Sequence, residues 1–421
     1  MKIINLSNKK NLNNIAKIID SRRNNSSIDT SIVVKILKDI KTNKLKAVKK
    51  YEKKFGNNNK LIPTRIEIKK CINNLNPKII KSIDEAYKRI NNFHKLQKNK
   101  NIKLIDKYNN KIEYKNFPIN SVGIYVPANL PSTLLMTAIP AKIAGVKNIT
   151  LLNPKVHGKL NPAVMYVAKK CGINNIVNAG GAQAIGYLAY VKKVDKIVGP
   201  GNDFVARAKR EVFGDVGIEG MIAGPSEVTV IADNKSDINK VATSMIAQSE
   251  HGINSQSILL TTNINVIKNT KKKILEIIKF LPRKKIIIKS LKKNGLLILA
   301  KNKNHLVEIV NKISPEHLEI MTVNYKAYLN NIYNAGSIGL GEYSPVAASD
   351  YNVGTNHTLG TLGSARYSTG LNLNDFVKKI SMFTLTKKGI EVIGKQAITL
   401  AEYENLHAHA LSIKSRISKK L

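Results

Sequence analysis

Residues 121–152, SVGIYVPANLPSTLLMTAIPAKIAGVKNITLL, decide the fold class. Ser121 to Val126 reads as a strand, Leu134 to Gly145 as a helix despite Pro140, and Asn148 to Leu152 as the next strand. The rhythm continues through helix Asn161 to Cys171, strand Asn175 to Asn178, helix Gln183 to Tyr190, strand Lys196 to Val198 and helix Asp203 to Val212. Strands alternating with helices imply a mostly parallel sheet covered on both faces. The same alternation resumes with strand Val228 to Ala232, helix Ile238 to Glu250, strand Ser257 to Thr261 and helix Val266 to Phe280. Leu296 to Ala300, a helix from Asn302 to Ile313, the run Leu318 to Val323, helix Lys326 to Tyr333 and strand Gly336 to Leu340 complete it. The expectation is two α/β halves of similar size.

The flanks read differently. Residues 1 to about 118 read as polar helices, among them Thr30 to Asp39, Lys41 to Phe55 and Pro77 to Gln97. From about 371 the chain turns helical again, with Asp375 to Met382 and then Lys387 to Ser412, polar enough at its far end to pack on a second subunit.

The chain has 421 residues, 43% of them hydrophobic, which calls for more than one core. No apolar run reaches the roughly 18 residues of a membrane span, and Met1 to Asp20 has no apolar leader core. Two cysteines, Cys71 and Cys171, offer neither a disulfide framework nor a thiolate metal site. A cytoplasmic, reducing setting is expected. The net charge of +41 suggests nucleic acid, but the basic residues are 60 Lys to 9 Arg, and base readers lean on Arg. Cys171 to Glu250 holds 8 basic and 9 acidic residues, so the excess lies elsewhere, interleaved with Asn and Ile as in Lys9 to Asn14. Neither nucleic acid nor membrane is expected as a partner.

Ser314-Pro315-Glu316-His317-Leu318-Glu319-Ile320 sets a carboxylate beside an imidazole, which a two-stage acid–base reaction needs. Pro315 disfavours helix at Ser314 and so places the pair on a turn. Alone, such a pair is more often solvated surface than catalytic. Gln248 and His251 form an i, i+3 pair that could bind a metal, or His251 is a helix-end histidine near Gly252. Asp350 and His357 share a Gly-, Asn- and Ser-rich loop, where Asp350 is equally a side-chain cap. Glu404 and His409 stand five apart on the last helix, while His407 and His409, two apart, cannot share its face. Asn178 to Gly186 and Gly199-Pro200-Gly201-Asn202 are Gly-containing turns that could receive phosphates at helix N-termini. Neither is a GxGxxG fingerprint.

Taken together, these motifs resemble the histidinol dehydrogenase family. They appear in family order over roughly 119 to 410: Gly123 to Pro127, Gly180 to Ile185, Gly199 to Asn202, Ala223 to Glu227 and Gln248 to Gly252, then Ser314 to Glu319, Asp350-Tyr351, Gly354 to Leu359 and Glu404 to His409. Ala47 to Phe55 and Ala86 to Gln97 extend the likeness more weakly. The resemblance implies two incomplete Rossmann-like parallel-sheet domains with helical N- and C-terminal segments. Residues 1–118 would form a helical segment of the first α/β domain and 119–225 the NAD side. Residues 226–370 would carry zinc and catalysis, and 371–421 dimerisation.

The implied activity is oxidation of L-histidinol through histidinaldehyde to L-histidine with two NAD, closing histidine biosynthesis, with one zinc per subunit. Gln248, His251, Asp350 and His409 match the zinc ligands, His317 the base of the alcohol step, and Glu316 the base that activates water on the aldehyde. Ser226, His357 and Glu404, beside His317 and the zinc ligands, match substrate-contacting positions. Tyr125, Gln183 and Asn202 match NAD contacts. The family is a homodimer whose C-terminal segment reaches the partner's site, so Glu404 and His409 would serve the neighbour. The chain departs in a shorter loop, Ala128-Asn129-Leu130-Pro131, in Gly360 where Pro is usual, and in Ser349 where Gly is usual. A zinc hydrolase using Glu316 would need no Tyr125, Gln183 and Asn202 set. A nucleic-acid binder would associate in a steeply salt-dependent way.

Overall fold

The computed structural model describes residues 1–6, 31–220 and 224–417. Numbered along the chain, its strands are β1 (Lys2–Asn5), β2 (Ile102–Ile105), β3 (Lys111–Pro118), β4 (Ser121–Tyr125), β5 (Asn148–Leu152), β6 (Asn175–Val177) and β7 (Lys196–Val198). There follow β8 (Gly217–Ile218), β9 (Glu227–Ile231), β10 (Gln256–Thr261), β11 (Gly295–Leu299), β12 (His317–Ile320), β13 (Ser337–Leu340) and β14 (Val377–Thr384). The chain divides into two units, Met1–Gln97 with Asn120–Asp375, and Lys98–Ile119 with Phe376–Leu421.

The first unit holds two parallel sheets, ordered β6-β5-β4-β7-β8 and β1-β11-β10-β9-β12-β13. Their central strands are buried along nearly their whole length, which is why the sequence shows continuous apolar runs rather than alternation. In the first sheet the chain moves outward from β4 to β6, then crosses to β7 on the other side of β4. The second sheet repeats this from β9, crossing to β12. Each sheet therefore has a topological switch point, between β4 and β7 and between β9 and β12, where α/β folds open a crevice.

Helix Ser31–Gly56 packs Val33, Ile36, Leu37, Ile40 and Val48 into the core beneath the first sheet. Its helical path is interrupted at Lys44 (φ 48°, ψ −131°), so the two helices expected to part near Ile40 part four residues later. Helix Pro77–Lys95 starts on the Asn76 side-chain cap with Pro77 in its first turn and ends near buried His94. Gln97 Oε1 accepts both from His94 Nδ1 (2.9 Å) and from the Leu373 backbone N–H (3.1 Å). Nδ1 is thus the protonated nitrogen, and Nε2 is a buried lone pair without a partner among the described residues. Burial holds the imidazolium below its ordinary range of 6.5. The unfolded chain then binds more protons, so this histidine's contribution is full above about pH 6.5 and falls away as the pH drops. His94→Leu is expected to narrow the difference in melting temperature between pH 8 and pH 5.5, read by circular dichroism.

Several local expectations are overturned. Residues 98–118 are not helical: β2 and β3 pair antiparallel with each other, and β14 pairs with β3 from Val377 opposite Pro118 to Thr384 opposite Lys111. The expected helix Asp375 to Met382 is therefore largely strand, since its hydrogen-bond partners lie far away in sequence. The expected helix Lys387 to Ser412 is two, Lys387–Tyr403 and His407–Ile417, broken at Asn405 (φ 59°). The N-terminal segment also reaches the second sheet, not only the first half, because β1 pairs with β11. Helix Lys284–Asn294 and β8 were not anticipated. Lys9 to Asn14 lies outside the described residues.

At the first switch point, Gly199 takes φ 111°, and a Cβ there would overlap the Tyr125 carbonyl oxygen. Only glycine fits both constraints. Gly199→Ala is expected to cost roughly 2–4 kcal/mol of stability, seen as a lower denaturant midpoint at unchanged slope.

Candidate active site

Helix Lys303–Ile313 stops at Ser314, which takes the left-handed conformation (φ 50°). Pro315 follows, Glu316 occupies the turn, and His317 is already the first residue of β12. Because β12 lies beside β9, Glu316 Oε2 meets the backbone N–H of Glu227 at 2.8 Å. His317 Nε2 stands 3.9 Å from Glu316 Oε1 and 3.9 Å from Asp350 Oδ1. Glu316 and His317 are only 7% and 3% exposed. The pair is therefore not solvated surface: two carboxyls flank one buried imidazole nitrogen.

Burial sets the protonation states. The Glu316 carboxyl is pushed well above the ordinary carboxylate range, first by desolvation and then by Glu227 and Asp350. Desolvation pulls His317 down to about 3, with the His357 and His251 imidazoles adding to it. Asp350 is pushed up to about 7 by burial and the nearby Glu319 carboxyl. Positive charge added to the site would draw the carboxyls back to their ionised forms.

Asp350 caps the C-terminus of the short helix Val346–Ser349, and Glu319 accepts from the Val346 N–H at 2.7 Å at its start. His357 Nδ1 lies 2.7 Å from the Asp350 carbonyl, which can only accept. Nε2 is therefore the unprotonated nitrogen, 3.5 Å from the Thr133 hydroxyl. Gln248 is buried in the last turn of helix Ile238–Ser249. His251 comes after Glu250 has capped that helix, and its N–H donates to the Gln248 carbonyl at 3.3 Å. The two residues are thus linked across the turn that ends the helix. His251 is exposed at the rim, yet enough protein surrounds its ring to lower its affinity for a proton. Ser226 precedes β9 and accepts through its carbonyl from Gln256 (2.9 Å), whereas Ala223 lies outside the described residues.

Glu404 and His409 belong to the second unit and are exposed. They are not on one helix: Glu404 caps Lys387–Tyr403, and His409 sits in the first turn of His407–Ile417. Among the described residues no three His, Cys, Asp or Glu side chains form a metal-binding group. Gln248, His251 and Asp350 offer an amide oxygen, an imidazole and a carboxylate without a thiolate. That donor set fits a divalent cation such as zinc.

At the other sheet, Tyr125 ends β4, beside the crossing to β7. Asn202 caps helix Asp203–Val212, its Oδ1 accepting from the Val205 N–H at 3.2 Å. Gln183 is buried in helix Gly181–Gly186, where Nε2 donates to Glu52 Oε2 at 2.9 Å. The buried Lys209 ammonium donates to the Gly199 carbonyl and pairs with Glu219, pinning the turn before Asn202. Asn153 Nδ2 reaches the carbonyls of Val126 (3.1 Å), Pro127 (3.4 Å) and Ala128 (3.4 Å), which closes the short loop from one side. Sequence reasoning missed Glu52, Thr133, Asn153, Lys209 and Glu319, because each acts through a contact distant in sequence or through a carboxylate that alternation alone would place at the surface. A cavity of about 710 Å³ lined by Lys41, Lys44, Tyr190, Lys193 and Asp215 contains none of these groups.

The histidinol dehydrogenase family model matches residues 20–417. Histidinol dehydrogenase of Pelagibacter ubique (strain HTCC1062) is 49% identical over 427 aligned positions, covering 100% of both chains. That of Methanocaldococcus jannaschii is 42% identical, covering 95% of each. The crystal structure of histidinol dehydrogenase from Elizabethkingia anophelis superposes with a TM-score of 0.92 at 36% identity, over 99% of this chain and 98% of that one. A doubled parallel-sheet fold, a buried Glu–His pair and likeness along the full length lead to one conclusion: this chain belongs to the histidinol dehydrogenase family, the oxidoreductases of histidine biosynthesis.

Proposed function

We propose that the cleft around Glu316 and His317 oxidises L-histidinol through histidinaldehyde to L-histidine, with two NAD used in turn. The observation that carries this is His317 Nε2 held 3.9 Å from both Glu316 and Asp350 in a buried pocket. Zinc would be held by Gln248, His251 and Asp350 together with His409 of the partner subunit. Bound zinc would supply a Lewis acid for the substrate's imidazole and amine, and bound NAD an acceptor for hydride.

The proton work falls to this chain. His317, lowered to about 3, is neutral at physiological pH and so free to take the alcohol proton as hydride leaves carbon. Glu316, once positive charge in the site has ionised it, takes a proton from water as the oxygen adds to the aldehyde. The second hydride then leaves the resulting gem-diolate, giving the carboxylic acid. Ser226, His357 and Glu404 of the partner subunit would orient the substrate, and Tyr125, Gln183 and Asn202 the cofactor at the β4–β7 switch point.

A homodimer through the second unit is supported by its exposed apolar side chains, among them Ile102, Leu104, Ile112, Phe383, Leu400 and Tyr403. No helix among the described residues is long and apolar enough to cross a membrane, and both cysteines are free, which suits a cytoplasmic setting. Mixing zinc-loaded protein with histidinol and NAD should give NADH absorbance with two NADH per histidine formed. Folded, zinc-containing protein that yields no NADH would refute the proposal.

A further inference from the structure

The helix Ser31–Gly56 contributes more than core packing. Its Glu52 is 1% exposed, and a carboxylate so deeply buried needs a reason. Glu52 Oε2 accepts from Gln183 Nε2 at 2.9 Å and from the Gly180 backbone N–H at 3.2 Å. The Gly180 contact makes Oε2 an acceptor, so the Gln183 amide must turn its NH₂ toward Glu52. Its carbonyl Oε1 then faces the other way, beside Gly181, where a Cβ would come within 3.1 Å of it. The next residue, Gly181, has its N–H toward the Tyr125 hydroxyl, which places this turn beside the end of β4.

We propose that Glu52 is a positioning residue of the cofactor site, fixing Gln183 so that it offers NAD a hydrogen-bond acceptor. The matching group on the cofactor is then a donor, a ribose hydroxyl or a carboxamide N–H. This rests on the reading that Gln183 contacts NAD. Burial, with no cationic partner among the described residues, holds the Glu52 carboxyl above its ordinary range, while its two donors pull the other way. A buried acceptor kept at that cost is consistent with a fixed amide orientation.

The test measures NAD affinity by calorimetry on zinc-loaded protein, alongside KM for NAD and for histidinol. Glu52→Ala is expected to weaken NAD binding about tenfold with histidinol KM unchanged, and Gln183→Ala to weaken it similarly. The double variant should be no worse than Gln183→Ala alone, because Glu52 acts only through that amide. Glu52→Gln, whose carbonyl can still accept from Gln183, should recover most of the lost affinity. Should Glu52→Ala fail to fold, Gly56→Ala stands in: its methyl would overlap Glu52 Oε1 and should raise KM for NAD a few-fold. If Gln183→Ala leaves NAD affinity unchanged, the underlying assignment of Gln183 fails. If Gln183→Ala weakens NAD but the Glu52 and Gly56 variants do not, or if the losses add in the double variant, the inference on Glu52 is overturned.

Discussion

His317→Asn lowers the rate of the first oxidation by about 10²–10⁴-fold, the range in which a positioned proton acceptor contributes. Asparagine keeps a polar group of similar reach but cannot take the alcohol proton. Histidinaldehyde supplied directly should still be oxidised at a substantial rate, since the second hydride needs Glu316 and water instead. Glu316→Gln reverses the pattern. Its amide cannot accept the water proton, while its carbonyl oxygen can still accept from the Glu227 N–H as Oε2 does at 2.8 Å, so the fold of the turn is kept. Rapid-quench measurement of the two half-reactions separates the roles. Equal losses in both steps for both variants would sink the division of labour.

His409→Asn is expected to lower zinc affinity by at least about 100-fold, since one direct ligand of a small set is lost. Each chain would still carry an intact Glu316–His317 pair. Mixing this variant with His317→Asn creates heterodimers in which one site has a whole catalytic pair and receives a native His409. With random exchange half the dimers are mixed, and one of their two sites works, so activity should return to about a quarter of wild type. If each chain completes its own site, both variants stay inactive on mixing and sharing is ruled out.

Much of the fold was legible because parallel strands buried on both faces leave continuous apolar runs, such as Val122 to Tyr125 and Leu296 to Leu299. The flanks were less so. β3 and β14 are two-sided and polar and pair with each other across most of the chain, so their lack of a continuous apolar run left them unmarked as strands. In the site, Glu316, His317, Gln248, His251 and Asp350 were visible through their motifs. Their electrostatic character was not, because desolvation depends on packing that no local pattern records. Glu52 was hidden for a similar reason: on a lysine-rich helix, one more charged residue reads as solvated surface.

The pairing of Lys2–Asn5 with Gly295–Leu299 bears on the order in which the protein assembles during synthesis. The β4 to β8 sheet is built from one contiguous stretch and can close once that stretch has left the ribosome. The β1 residues, by contrast, must wait for β11 before they find a neighbour, and β3, already paired with β2, gains its second neighbour only with β14. Long-range closure of this kind slows folding. The segment carrying Glu404 and His409 is translated after every strand of both parallel sheets, so it emerges once Glu316, His317 and Asp350 have already been made.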